Sequence, residues 1–310
     1  MKVLLTGTSG NLGSRVLRSI LDLGLIPTTD LVISTSSPHK VAAIAKQNNI
    51  ALVPGDFTNP DRLRQSFAES KAEILFLVSY PSPSIDRWLH HKAAIDAAKH
   101  SGCIKLIVYT SLMFGGKTGM HSVAGVQQAH IKTVDYLNQS GMEYVVVREG
   151  IYAESWWLYA GFQPHPLPQG DDSKIEFVIP DDGPIAWVSW DDLGEGTARV
   201  LTQLAHGERS LHGQTLNLTG SRTASLKDVA RLVEKHSGRE VEVKLVGKQE
   251  AKSYHLRDGQ KEEWLVDSWV GWFDGVKAGE CAEIDPLLED ILGREPKGIE
   301  ECAQDLFIPQ

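Results

Sequence analysis

Short apolar runs alternate with amphipathic stretches along the first half of the chain, and turn residues punctuate them. Val3-Leu4-Leu5 predicts a buried strand. It runs into Gly7, Gly10 and Gly13, and a helical pattern follows from Leu12 through Ile20 and Leu21. Leu31-Val32-Ile33-Ser34-Thr35 predicts a second strand, with Ser37 as N-cap and Pro38 in the first turn of a helix through Ala45. A short third strand over Ala51–Asp56 and a helix from Pro60 to Ala68 come next. Ile74-Leu75-Phe76-Leu77-Val78 is continuously apolar, as in a strand covered on both faces. A helix is expected over Ile85–Ser101, with Ala94, Ile95, Ala97 and Ala98 on its packed side. Then come a strand over Lys105–Thr110, a glycine-bearing loop, a helix from about Val123 to Gln139, and a sixth strand over Tyr144–Arg148. Alternation at this pitch predicts an α/β fold on a Rossmann-type, doubly wound parallel sheet.

The pattern changes after residue 150. Trp156-Trp157, Pro164, Pro166, Pro168 and Gly170 mark irregular structure. Strands are expected over Ile185–Val188 and Thr215–Thr219, with a helix from Asp191 to Leu204 capped by Asp191 or Asp192. Ser225-Leu226-Lys227-Asp228 has the spacing of a capping box and opens a helix to Ser237. Val241–Val246 alternates valine with charge, as near a sheet edge. The remainder reads as helices holding Trp264, Trp269, Trp272, Leu287, Leu288 and Ile291. The chain thus divides into a doubly wound domain over 1–150, to which strands near 185–220 return, and a smaller C-terminal α/β region over 151–310 expected to hold substrate.

Composition narrows the class. The 310 residues are 42% hydrophobic, which is ordinary for a globular protein, and carry a formal net charge of −9. That charge argues against a nucleic-acid partner or an anionic membrane surface. No apolar run approaches the roughly 20 residues of a membrane span. Cys103, Cys281 and Cys302 lie far apart, which fits a reducing compartment better than a disulfide framework. The first strand begins at residue 3, so no leader is expected, and a cytoplasmic location follows. His90-His91 has poor geometry for one metal, since adjacent helical residues diverge, and no metal is assigned.

The chemistry concentrates at the first turn. Gly7 permits it, Gly10 lets a pyrophosphate approach the backbone, and Gly13 lets the helix pack on the strand. A helix N-terminus adds free N–H groups and a partial positive charge. Gly7, Thr8, Ser9, Gly10, Asn11, Leu12 and Gly13 are therefore candidate dinucleotide-binding residues; the alternative is a glycine turn without cofactor. An NAD-preferring site places Asp or Glu after the second strand to hold the ribose 2′-hydroxyl. Here Ser34, Thr35, Ser36 and Ser37 stand there, with Lys40 one turn on. Hydroxyls and a cation suit a 2′-phosphate, so NADP (as NADPH) is the expected cofactor, although serines are also ordinary turn residues. Val78, Ser79 and Tyr80 follow the fourth strand, at the carboxyl edge where ligands sit in such sheets.

Thr6-Gly7-Thr8-Ser9-Gly10-Asn11-Leu12-Gly13 resembles the opening of the NmrA-like, atypical short-chain dehydrogenase/reductase family. Gly55-Asp56-Phe57, Tyr109-Thr110-Ser111-Leu112, His130-Ile131-Lys132-Thr133, Arg148 to Glu154 and Leu292 to Pro296 resemble its other segments. The likeness covers nearly the whole chain and points to the branch of NAD(P)H:quinone oxidoreductases and triphenylmethane reductases. It implies a Rossmann fold, NADP binding, and Asp56 and Phe57 at the adenine side. Phe57 and Tyr80 are equally readable as core aromatics. An arginine that the family often carries near Ser36 is missing.

Ordinary short-chain dehydrogenases use Tyr-x-x-x-Lys, where tyrosine protonates a developing alkoxide and lysine lowers its pKa. The residues four places after Tyr80, Tyr109, Tyr136, Tyr144, Tyr152, Tyr159 and Tyr254 are Ser84, Met113, Ser140, Arg148, Trp156, Gln163 and Asp258, none of them lysine. Lys132 lies one turn before Asp135, where some family members carry a lysine. A quinone or conjugated cation accepts hydride without such a dyad. The resemblance therefore implies an NADP-dependent oxidoreductase transferring hydride to an aromatic or quinone-like small molecule. The alternatives are a non-catalytic NADP-sensing regulator and an isomerase on the same scaffold. Ser111 and His130 are the candidate catalytic residues; each is also readable as structural. Tyr80, Tyr152 and Trp156 are candidate substrate residues. Trp156, Trp157, Tyr159 and Phe162 wall an aromatic pocket or form core. A homodimer is the expected assembly.

Overall fold

A computed structural model describes residues 1–82, 86–171 and 173–310. In chain order the first half holds β1 (Val3–Leu5), α1 (Asn11–Asp22), β2 (Leu31–Thr35), α2 (Pro38–Gln47), β3 (Ala51–Pro54), α3 (Pro60–Ser70), β4 (Ile74–Leu77), α4 (Arg87–Ser101), β5 (Leu106–Leu112), α5 (Gly125–Ser140) and β6 (Glu143–Glu149). The second half holds β7 (Ile151–Tyr152), α6 (Trp156–Tyr159), β8 (Ile175–Ile179), β9 (Trp187–Val188), α7 (Trp190–Ala205), β10 (Thr215–Leu218), α8 (Leu226–Ser237), β11 (Val241–Leu245), α9 (Lys248–Leu256), α10 (Glu263–Lys277), α11 (Leu287–Leu292) and α12 (Ile299–Phe307).

Two compact units result. One comprises Met1–Ser111, Ala129–Glu149 and Trp190–Leu218, and the other Leu112–Gln128, Gly150–Ser189 and Thr219–Gln310. The first carries a seven-stranded sheet in the order β10-β6-β5-β4-β1-β2-β3. β1 pairs in parallel with β2 and β4, as do β2 with β3, β4 with β5, and β6 with β10. The order reverses beside β1, which makes its carboxyl edge a topological switch point. Val3, Leu4, Leu5 and Ile74 to Leu77 are wholly buried, as continuous apolar strands covered on both faces must be. α1 and α7 pack closely because Gly194 has no side chain; a Cβ there would lie 2.5 Å from the Arg15 Cβ. Arg15 also donates to Asp191 at 2.9 Å.

The second unit has its own core. Trp156, Trp187, Trp269, Phe177, Phe273 and Phe307 are all buried in it. Its two small sheets pair β8 with β11 and β7 with β9, both in parallel. The residues after β5 are pinned within this unit by Glu280. Its carboxylate accepts from the Ser122 hydroxyl, from Gly115 N at 3.0 Å and from Val123 N at 2.8 Å.

Several expectations change. Thr215–Leu218 joins the main sheet, but Trp187–Val188 pairs with Ile151–Tyr152 instead. Asp191 and Asp192 lie in the first turn of α7 rather than capping it. Ser37 is the N-cap of α2 without a side-chain hydrogen bond, whereas the Ser225–Asp228 capping box is complete. Ile85, expected to open the fourth helix, lies outside the described residues. β8 has no counterpart in the sequence reading, whereas α9 falls in the stretch read as helices. Ile175–Ile179 follows a proline-rich stretch that reads as irregular. Trp156, a candidate substrate residue that reads equally as pocket wall or core, is 0% exposed. Its ring meets Phe307 edge-on at 5.0 Å, so it is core and presents no face to a ligand.

Candidate cofactor site

The turn after β1 is built by backbone. Thr6 Oγ1 donates to Phe76 O at 2.9 Å and accepts from Val78 N at 3.0 Å, tying β1 to the end of β4. Gly7 has φ +68°, and a Cβ there would sit 2.7 Å from the Val78 Cβ. A Cβ on Gly13 would sit 2.3 Å from Gly7 O. Both positions therefore need glycine for the fold itself. Gly10 differs. It is exposed, its φ is −97°, and a Cβ would meet only Gly7 O, at 3.3 Å. The fold's demand for glycine is weaker at this position, where Gly7 O would have to give by only a few tenths of an ångström. The N–H groups of the first turn of α1 thus face an open cradle that a larger side chain would fill. Thr8 Oγ1 is buried and has no partner, leaving a hydroxyl suited to a phosphate oxygen. Ser9 and Asn11 are exposed beside it, while Leu12 is buried in the core. This loop fits a dinucleotide pyrophosphate.

At the ends of β2 and β3 the candidate groups for the 2′-phosphate divide. Ser34 is buried and its hydroxyl donates to Pro54 O at 3.3 Å. Thr35 Oγ1 accepts from Ser37 N at 3.0 Å. Both hydroxyls thus serve the sheet edge, and Ser36 and Lys40 are the exposed pair. Asp56 Oδ1 accepts from Thr58 N at 2.9 Å and from Thr58 Oγ1 at 2.6 Å. These hydrogen bonds from Thr58 hold its carboxyl below the usual carboxylate range. Phe57 is half-buried, with its ring 6.0 Å from that of Tyr80, which in turn lies 4.1 Å from the His90 ring.

Behind Val78-Ser79-Tyr80 lies a buried polar cluster drawn from α4, β5 and α5. Tyr80 N donates to His91 Nε2 at 2.9 Å, and Ser79 N donates to Thr110 Oγ1 at 2.9 Å. His91 Nδ1 is 2.8 Å from Thr133 Oγ1 and 3.2 Å from Tyr109 Oη. Tyr109 Oη is 2.8 Å from His130 Nδ1, and Arg87 Nη1 donates to His130 Nε2 at 2.9 Å. Arg87 Nη1 also reaches Ser79 Oγ at 3.3 Å. Burial, reinforced by the Arg87 charge, pushes His91 down to about 3 and His130 well below its ordinary value. Burial also raises the Tyr109 hydroxyl far above its usual range. All three rings are therefore neutral at physiological pH.

This corrects the reading of His130 as a group facing an acceptor. It is 2% exposed, and both ring nitrogens are engaged inside the unit. Ser111, on β5, is also buried and stands outside this network. The structure joins Ser79 and Tyr80 to His130 through Arg87, His91 and Tyr109, none of which sequence reasoning assigned to the site. The available signal was His91 itself, weighed there only as a metal ligand. Glu149 is a further omission. It is 1% exposed at the end of β6, and its Oε1 accepts from Thr197 Oγ1 at 2.9 Å, while Oε2 has no partner. Burial pushes this carboxyl up to about 8, so it is protonated at neutral pH. Tyr152 ends β7 in the second unit, half-buried. Among the described residues no cluster of His, Cys, Asp and Glu is arranged to hold a metal, and no helix is long and apolar enough to cross a membrane.

Comparison with known proteins agrees with this geometry. Residues 7–155 match the NAD(P)H-binding family. An NmrA-like family domain-containing oxidoreductase of Aspergillus flavus is 28% identical over 99% of this chain and 95% of its own length. Quinone oxidoreductase 2 of Escherichia coli is 28% identical over 98% of both chains. The crystal structure of the NADPH-dependent quinone oxidoreductase from that organism, complexed with NADPH, superposes with a TM-score of 0.82 at 25% identity, covering 98% of this chain and 99% of that one. The chain thus carries an NAD(P)H-binding domain over residues 7–155 and is similar along nearly its whole length to an NmrA-like oxidoreductase and to an NADPH-dependent quinone oxidoreductase.

Proposed function

We propose that the chain is an NADPH-dependent reductase of quinone-like or related aromatic acceptors. The contrast among the three glycines carries the cofactor half: Gly7 and Gly13 are required by contacts within the fold, and Gly10 is explained by a ligand. Thr8 and the first turn of α1 take the pyrophosphate, Ser36 and Lys40 the 2′-phosphate, Phe57 the adenine side, and Val78-Ser79-Tyr80 the nicotinamide side. NADPH supplies the hydride. The chain's own residues bind and orient it and bring an acceptor against it, since no tyrosine has a lysine partner at the dehydrogenase spacing and His130 is sealed inside the unit. Holding the two reactants together can lower a barrier by several kcal/mol. An acceptor whose product takes its proton from water needs no further group. The likeness to quinone oxidoreductase 2 along its full length supports the acceptor class.

The test is NADPH consumption by the purified protein with a panel of quinones and conjugated aromatic cations. Steady turnover with a panel member supports the reading. NADPH binding without turnover across the panel supports an NADP-sensing regulator instead.

A further inference from the structure

The directions of the hydrogen bonds around His91 leave one arrangement. The Tyr80 backbone N–H only donates, so His91 Nε2, 2.9 Å away, presents its lone pair. Neutral His91 then carries its proton on Nδ1, aimed at Thr133 Oγ1 at 2.8 Å. Thr133 Oγ1 donates to Ala129 O at 2.7 Å, which leaves its oxygen lone pair for that proton. The Arg87 guanidinium also only donates, so His130 accepts on Nε2 and turns Nδ1–H toward Tyr109 Oη. The two histidines thus share one tautomer, each fixed by a donor that cannot reverse.

His91 itself is 0% exposed and touches no surface where a ligand could reach it. Its connection to the outside is the segment it holds: Tyr80 N through Nε2, and Ser79 Oγ, 3.2 Å from the same nitrogen. That segment also carries the Tyr80 ring, half-buried beside Phe57 and His90.

We propose that His91 is a positioning residue, whose unprotonated Nε2 fixes the Ser79-Tyr80 turn in the shape that receives the nicotinamide half of the cofactor. The proposal rests on the cofactor reading of Ser79 and Tyr80. Helix α4 then does more than cover the sheet, since it sets the carboxyl edge of β4 from behind through one ring. Leucine at 91 would fill the space but leave Tyr80 N–H without its acceptor. Glutamine would offer an oxygen near Nε2 and an amide N–H toward Thr133. Because each tautomer is set by geometry, the role is visible spectroscopically as well as kinetically.

The experiment has two arms. In the wild type without nucleotide, histidine ¹⁵N shifts should show His91 protonated on Nδ1, and the Tyr80 amide should exchange slowly. NADPH titration of H91L should give a Kd raised tenfold or more, with KM for the acceptor unchanged, and H91Q should return the NADPH Kd to within threefold of wild type. The Nε2–H tautomer, a fast-exchanging Tyr80 amide, or a folded H91L variant that binds NADPH as wild type does would each overturn the proposal. The wild-type arm stands even if H91L fails to fold. If wild type binds no NADPH, the cofactor reading itself fails, and the tautomer and exchange data report separately on whether His91 holds the turn.

Discussion

Two segments of the first unit face its carboxyl edge, and they are shaped by opposite means. The loop Gly7–Gly13 is shaped by backbone: a positive φ at Gly7, a close approach at Gly13, and a hydrogen bond from Gly10 N to Gly7 O at 2.9 Å. The turn Val78–Tyr80 is shaped by side chains behind it, with Thr6, Thr110 and His91 each taking one of its backbone N–H groups. A backbone-shaped loop is fixed by which residues lack a side chain. A side-chain-shaped turn is fixed by which distant residues keep theirs, and in which protonation state.

The largest effect tests the backbone half. Gly13→Ala places a Cβ 2.3 Å from Gly7 O, so it should destabilise the protein by ~3 kcal/mol or more. Gly10→Ala should cost at most ~1 kcal/mol, the scale of a poorer N-cap. Denaturant melts of both variants decide the matter, and equal losses would remove the distinction between the glycines.

The next effects separate groups by pH. Glu149 has a raised pKa of about 8 in the folded chain, against an ordinary value near 4.5 when unfolded. Between these values the unfolded chain has lost a proton that the folded chain keeps, so stability falls as pH rises from 4.5 to 8. The cost at pH 7 is roughly 3 kcal/mol, and Glu149→Gln should flatten that slope. His91 behaves in the opposite sense. Its folded pKa of about 3 lies below its unfolded 6.5, so its stabilising contribution is complete above pH 6.5 and is lost as pH falls toward 3. At pH 5 the loss is roughly 2 kcal/mol, and His91→Gln should remove most of it. Melts of wild type and both variants from pH 4.5 to 8 check the signs. A slope that neither variant changes would mean that other groups set it.

Much of the backbone-shaped half was legible in the sequence, because its causes are local. Val3-Leu4-Leu5 beside three spaced glycines implies a strand, turn and helix whatever the rest of the chain does, and Ser225 with Asp228 announces a helix start in the same way. The side-chain-shaped half was not legible. Its members are Ser79, Arg87, His91, Tyr109, His130 and Thr133, and no spacing rule links them, because they meet only after α4 and α5 pack on the sheet. Burial was equally hidden. Ser34 and Ser36 are alike in sequence, yet one hydroxyl is bonded to Pro54 O and the other residue is exposed. Trp156 reads equally as pocket wall or core, and only tertiary packing decides for the core.

The smallest effect concerns cofactor choice. Ser36→Asp sets a carboxylate beside the place proposed for the 2′-phosphate, and should weaken NADPH by about tenfold, ~1.4 kcal/mol, while leaving NADH affinity unchanged. Paired titrations check it, and equal losses for both nucleotides would move the 2′-phosphate away from Ser36.

The most direct measurement is NADPH titration of Gly10→Val alongside its thermal melt. A Cβ at Gly10 meets little of the protein but enters the cradle at the N-terminus of α1. The expected result is a cooperative melt with only a modest loss of stability, together with loss of NADPH binding at any practical concentration. A folded Gly10→Val protein that binds NADPH with wild-type affinity would contradict the account, because the Gly7–Gly13 loop would then not be where the pyrophosphate sits.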